Sequence, residues 1–148
     1  MSLEQKIMAD IKVAMIAKDS LKLEVLRAIK SAILLVKTDK QSSNLDEDKE
    51  VQILQKLLKQ RKESCEIYLK QDRSDLASHE KNQASIISKY LPTPYSNSEL
   101  QDLVNNIMKE NNLYTKSDMG KLISLVMKNV KGRADGKSVS EVVKQKLL

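Results

Sequence analysis

The stretch Leu91-Pro92-Thr93-Pro94-Tyr95-Ser96-Asn97-Ser98-Glu99 contains both prolines of the chain and divides it into two helical parts. The residue before a proline is disfavoured in the helical region of backbone space, so no helix is expected to pass through this stretch. Directly after the prolines, Ser96 and Glu99 have the spacing of a capping box, which marks a helix start. We therefore predict a helical N-terminal domain over residues 1–91, a proline hinge, and a helical C-terminal domain over residues 92–148.

The composition on both sides of this boundary is typical of an all-α protein. The 148 residues include only three Gly and four Tyr, with no Phe or Trp. All-β proteins need many turns and favour aromatic residues, so this class is excluded. Leu, Ile and Val are frequent enough to build an aliphatic core. We expect an all-α fold.

Hydrophobic periodicity before the boundary predicts about four helices, one of them long. We expect Ser2, Ser20 and Asp46 to cap the first three helices, and the fourth to start at Ser74 and Asp75. Residues 38–48 have the composition of a polar loop, and the long helix that follows should end near Asp72.

Three short amphipathic helices are predicted after the boundary. The first follows Ser96, the second starts near Ser117 or Asp118, and the third ends the chain. The second helix should stop at Gly132, because glycine readily adopts the left-handed conformation that terminates helices. Three such helices form a small three-helix bundle.

The scarce residue types exclude several kinds of chemistry. With one cysteine and one histidine, the chain can form neither an internal disulfide nor a Cys/His zinc cluster. P-loop, dinucleotide-binding and serine-nucleophile motifs are missing. We therefore predict no catalytic residues, no metal and no cofactor. The longest apolar run, residues 32–36, is too short to cross a membrane, and the N-terminus carries no signal-peptide pattern, so we expect a cytoplasmic protein.

The charge distribution indicates an anionic partner. The net charge is +6, and residues 116–137 contain six basic and two acidic side chains. Such a local excess favours nucleic acid as the partner. Helical projection places Lys121 and Lys128 on one face of the second C-terminal helix, opposite its apolar face. The candidate nucleic-acid-binding residues are Lys121, Lys128, Lys131, Arg133 and Lys137.

Residues 131–137, which we call the basic turn, admit two interpretations. Gly132 and Gly136 allow a ligand to approach the backbone, and the next helix presents N–H groups at its start, as phosphate-binding turns do. Alternatively, Gly132 only ends one helix, Asp135 caps the next, and the lysines are a solvated surface.

A second basic run, Lys59-Gln60-Arg61-Lys62, lies on the predicted long helix. Arg61 falls within the apolar stripe of that helix, where an unpaired charge is costly. One interpretation is an ion pair with a carboxylate on another helix, such as Glu80. The other is a secondary basic binding site formed by Lys59, Arg61 and Lys62.

Four motifs resemble those of the YqeY family: Lys59-Gln-Arg-Lys-Glu-Ser64, Tyr90-Leu-Pro92, Asp118-Met-Gly-Lys121 and Val130-Lys-Gly-Arg-Ala-Asp-Gly-Lys137. The resemblance runs from Ser2 to Leu148. Residues 92–148 are also similar to the C-terminal tail domain of the B subunit of glutamine-dependent aspartyl/glutamyl-tRNA amidotransferase. In that enzyme the tail is a helical appendage that touches tRNA, while the chemistry lies elsewhere. The resemblance makes Lys131, Arg133 and Lys137 the tRNA-facing candidates.

Three functions follow from these observations. The first is a non-catalytic accessory protein that binds tRNA through its C-terminal domain, recognising phosphates and shape because the aromatic platforms for unstacked bases are scarce. The second is a protein-interaction module that docks on an amidotransferase or another translation enzyme. The third, an amidotransferase-associated carbon–nitrogen ligase activity, is implied by kinship alone.

Overall fold

The computed structural model describes residues 2–39 and 45–147, and within these ranges the fold is all-α, as predicted. The described residues form seven α-helices and one short 3₁₀ turn, Lys116–Asp118. The helices are α1 (Leu3–Ala17), α2 (Ser20–Thr38), α3 (Glu47–Lys70), α4 (Ser74–Ser88), α5 (Asn97–Asn111), α6 (Met119–Val130) and α7 (Gly136–Leu147). Of the predicted polar loop, residues 40–44 lie outside the described residues.

Most helices begin where the local sequence predicts. The Ser2 and Ser96 hydroxyls accept hydrogen bonds in complete capping boxes, and the Asp46 carboxylate accepts the N–H of Lys49. The prediction that Ser20 caps α2 is wrong by one residue. The Asp19 carboxylate caps this helix by accepting the N–H of Lys22 at 3.1 Å. A carboxylate also interacts favourably with the positive end of the helix dipole.

By its internal contacts the chain divides into two units, Met1–Leu91 and Pro92–Leu148. In the first unit, α1 packs on α2, and α3 pairs with α4 along a helical hairpin. Its core is aliphatic and includes the fully buried side chains of Ile7, Leu26 and Ile29. The Tyr90 hydroxyl donates a hydrogen bond to Asp10, which ties the end of α4 to α1. Burial and this bond raise the pKa of Tyr90 above its ordinary value.

The second unit is a three-helix bundle in which α5, α6 and α7 each pack against the other two. Leu122, Val126 and Val139 are fully buried at its centre. Because α6 turns its apolar stripe towards α5 and α7, its opposite face is left to solvent and carries the lysines. No helix in the described ranges is both long and apolar enough to cross a membrane.

Candidate nucleic-acid interface

The basic turn between α6 and α7 is shaped by helix caps on both sides. Lys131 and Gly132 adopt left-handed backbone conformations, with φ of 46° and 84°, which end α6 as predicted. Before α7, the Asp135 carboxylate accepts the N–H of Ser138 at 2.8 Å. This carboxylate stands where an anion would meet the helix start, so the predicted use of free α7 N–H groups for phosphate is not supported. The candidate phosphate-binding groups are therefore side chains.

Four lysines provide these side chains: Lys121, Lys128, Lys131 and Lys137. All four are exposed, and none forms a salt bridge within the part of the chain that the structure describes. Lys121 and Lys128 are seven residues apart on α6, which places them on one face of the helix. The surface therefore offers several exposed cations that form no salt bridge with a described carboxylate.

Asp118, the acidic residue that precedes α6, is engaged in the turn before that helix. Its Oδ2 atom accepts hydrogen bonds from the Thr115 N–H at 3.2 Å and from the Thr115 hydroxyl at 2.9 Å. These bonds hold the pKa of Asp118 below its ordinary value, and Lys121 lowers it further. The carboxylate thus stays ionised and orders the entry to α6 beside Lys121.

Arg133, the fifth candidate, differs from the lysines because its guanidinium is occupied within the unit. Its Nε donates a hydrogen bond to the Thr93 carbonyl at 2.7 Å. The central guanidinium carbon, Cζ, lies 3.9 Å from the centre of the Tyr95 ring. Nη2 is 3.9 Å from a Glu99 carboxylate oxygen. The Arg133 carbonyl in turn accepts the Tyr95 N–H at 2.8 Å. Arg133 therefore fastens the basic turn to the segment that precedes α5.

Sequence reasoning did not find this role of Arg133. The partners Thr93 and Tyr95 lie about 40 residues away along the chain, and no short-range pattern connects them to the turn. The one local signal was an aromatic residue directly after the prolines.

The three candidates of the secondary basic run differ in exposure. Arg61 Nε lies 3.8 Å from Glu80 Oε2, with both side chains mostly buried between α3 and α4. The predicted ion pair is thereby confirmed. Neither of these two atoms has a hydrogen-bond partner among the described residues. Lys59 and Lys62 are exposed, and Lys59 lies 4.0 Å from Glu63 on its own helix.

No group of three or more His, Cys, Asp or Glu side chains that could hold a metal ion is found in the described ranges.

Comparison with known proteins decides the family. Residues 4–147 match the family described as Yqey-like protein. The chain belongs to the YqeY family. The match spans both units, so the family assignment covers the lysines of the second unit as well as the α3–α4 hairpin of the first.

Among curated YqeY relatives are three yeast proteins named "Altered inheritance of mitochondria protein 41, mitochondrial". The protein from Lachancea thermotolerans is 39% identical over 104 residues, which cover 68% of this chain and 55% of the relative. That from Vanderwaltozyma polyspora is 40% identical over 82 residues, or 55% and 44% of the two chains. A Saccharomyces cerevisiae protein is 34% identical over 131 residues, or 88% and 69%. The chain spans about half the length of the first two relatives.

These relatives correct the prediction of a cytoplasmic protein. That prediction is wrong, because each relative is named as a mitochondrial protein. The absence of disulfides and of a membrane-length apolar run does not distinguish the cytoplasm from the interior of an organelle.

Proposed function

We propose that this YqeY-family protein is a non-catalytic accessory protein that binds folded tRNA through the second unit. The observation that carries the proposal is the set of exposed lysines around α6 and the basic turn, which have no salt-bridge partner among the described residues: Lys121, Lys128, Lys131 and Lys137. Phosphate contacts of this kind supply most of the non-specific affinity of proteins for nucleic acid.

The choice of folded RNA, and of tRNA in particular, has two supports. The chain has no Phe or Trp, so stacking platforms for single strands are scarce, whereas phosphates arrayed on a folded RNA need only cations. The resemblance of residues 92–148 to the amidotransferase tail domain favours tRNA among folded RNAs.

Fluorescence anisotropy with folded tRNA, measured across a range of salt concentrations, tests this function. If about four phosphates are contacted, the slope of log K against log salt should be about −3 to −4. The double variant Lys128→Gln/Lys137→Gln should bind more weakly, with a slope less steep by about 2, because two counterion-releasing contacts are lost. Arg133 is not the residue to change, since its loss would disturb the turn itself.

The matched control is Lys109→Gln/Lys144→Gln. Both residues are exposed lysines of the same unit, near the C-terminal ends of α5 and α7, and the variant has the same net charge as the test variant. It should retain the wild-type slope. Equal losses in the two double variants would show that the basic turn is an ordinary solvated surface. Wild-type protein that fails to bind tRNA at low salt would refute the proposal.

An exposed apolar surface on the first unit favours a second candidate, docking on a protein such as an amidotransferase or another translation enzyme. Ile16 and Val13, which lie three residues apart on one face of α1, are 85% and 60% exposed. Apolar side chains gathered on a surface often mark a protein contact. Partners captured by the wild type should then survive ribonuclease and be lost in Ile16→Lys. Their loss on ribonuclease treatment would refute docking as the primary function.

A further inference from the structure

A groove on the second unit lies between the start of α5 and the outer face of α7. Its volume is about 340 Å³. Leu100 and Val142, each only 4% exposed, form an apolar floor. Asn97, Glu141 and Gln145 line the rim with polar groups. Their side chains have no hydrogen-bond partner within the described part of the chain, so they are available to a ligand.

The groove adjoins the basic turn. Tyr95 lines it and also carries the Arg133 guanidinium over its ring, while its N–H donates to the Arg133 carbonyl. On the α7 side, Glu141 lies one helical turn after Lys137, so the lysine precedes the groove on the same face of the helix. A nucleotide bound at Lys137 would therefore have its neighbour in the RNA chain next to the groove.

The chemistry of the groove fits a base and not a phosphate. The Glu141 carboxylate repels an anion but accepts hydrogen bonds from an amino group, as Glu does with the N4 amino group of cytosine. The Asn97 and Gln145 amides can both donate and accept at a base edge. The apolar floor provides a surface against which a planar ring can pack without a Phe or Trp platform.

We propose that this groove binds an unpaired RNA base, and that Glu141 makes it prefer bases with an exocyclic amino group, above all cytosine, over uracil. The inference rests on the proposed function, because it assigns one nucleotide of the same RNA to a defined site. It adds a base-selective contact to an interface that otherwise reads phosphates and shape.

Titration of the full chain with nucleoside 5′-monophosphates, followed by NMR of Leu and Val methyl groups, tests the groove. CMP should shift the methyl signals of Leu100 and Val142 and bind more tightly than UMP by about fivefold or more. Glu141→Gln should remove most of this preference. Glu110→Gln, which removes an exposed carboxylate of α5 outside the groove, should keep it.

The outcomes separate this inference from the proposed function. If tRNA binds but neither nucleotide shifts Leu100 and Val142, or CMP and UMP bind equally, the groove assignment is overturned and tRNA binding stands. If CMP binds selectively in the groove but tRNA does not bind, the proposed function fails, and with it the assignment of the groove to a base of that RNA.

Discussion

At the scale of single residues, the two arginines singled out for binding both take part in contacts within their own unit. Arg61 faces Glu80 across the α3–α4 hairpin, and Arg133 spans the second unit from the basic turn to Thr93 and Tyr95. The guanidinium suits the position of Arg133, because its planar group can donate to a carbonyl and stack on a ring at the same time. Lysines, with a single strongly hydrated charge, are left on the solvent side.

Arg133→Gln should destabilise the protein by about 2 kcal/mol. The variant loses a charged donor to the Thr93 carbonyl and the stacking of a cation on Tyr95, each of which contributes on the order of 1 kcal/mol or more. Denaturant unfolding would measure the change. Lys131→Gln in the same turn serves as control and should stay within about 0.5 kcal/mol of wild type, since its side chain is exposed. Equal stability of the two variants would contradict a clamping role for Arg133.

At the scale of elements, the two glycines of α6 differ in their effect on the helix because their backbone conformations differ. Gly120 lies in the first turn, exposed, and a Cβ added there would meet no atom within 4 Å. Gly132 lies just past the C-terminal end, with φ of 84° in the left-handed region. Gly120 therefore weakens the helix although a side chain would fit at its position. Gly132 is needed to end the helix, because its backbone is left-handed.

Alanine substitution at these two glycines should have opposite effects. Gly120→Ala should stabilise the protein by about 0.5–1 kcal/mol, because alanine has the higher helix propensity. Gly132→Ala should destabilise it by about 1 kcal/mol, because a Cβ is strained in the left-handed region. Thermal unfolding of the two variants would show whether each melting temperature rises or falls. Shifts of the melting temperature in the same direction would contradict this account of the α6 ends.

At the scale of the whole molecule, each unit has a hydrophobic core of its own. The buried residues of the first core lie between Leu3 and Ile87, and those of the second between Leu100 and Leu147. Since a closed core is the main requirement for independent folding, we expect each unit to fold as a domain of its own.

A fragment of residues 92–148 should consequently fold and carry the RNA site. We expect helical circular dichroism, a cooperative thermal transition, and tRNA binding with the salt slope of the full chain. Residues 1–91, expressed alone, should not bind. Lack of a cooperative transition in the 92–148 fragment would show that the units depend on each other, and binding by residues 1–91 would move the site away from the basic turn.

Local sequence was sufficient to determine the all-α class and most helix boundaries of this protein. Each cap or helix end involves residues within about four positions of each other, so it can be predicted from local sequence. This holds for the caps Ser2, Asp46 and Ser96 and for the helix end at Gly132. The Arg61–Glu80 pair was also predictable, since a charge within an apolar stripe needs a partner.

The tertiary structure alone decided which basic side chains of residues 116–137 are exposed without a partner among the described residues of the second unit. Six basic residues between positions 116 and 137 look equivalent in the sequence. Folding brings Thr93 and Tyr95 against Arg133 and leaves the lysines in solvent. The groove between α5 and α7 is likewise absent from any local pattern, because its two sides are about 40 residues apart and meet only when the bundle closes.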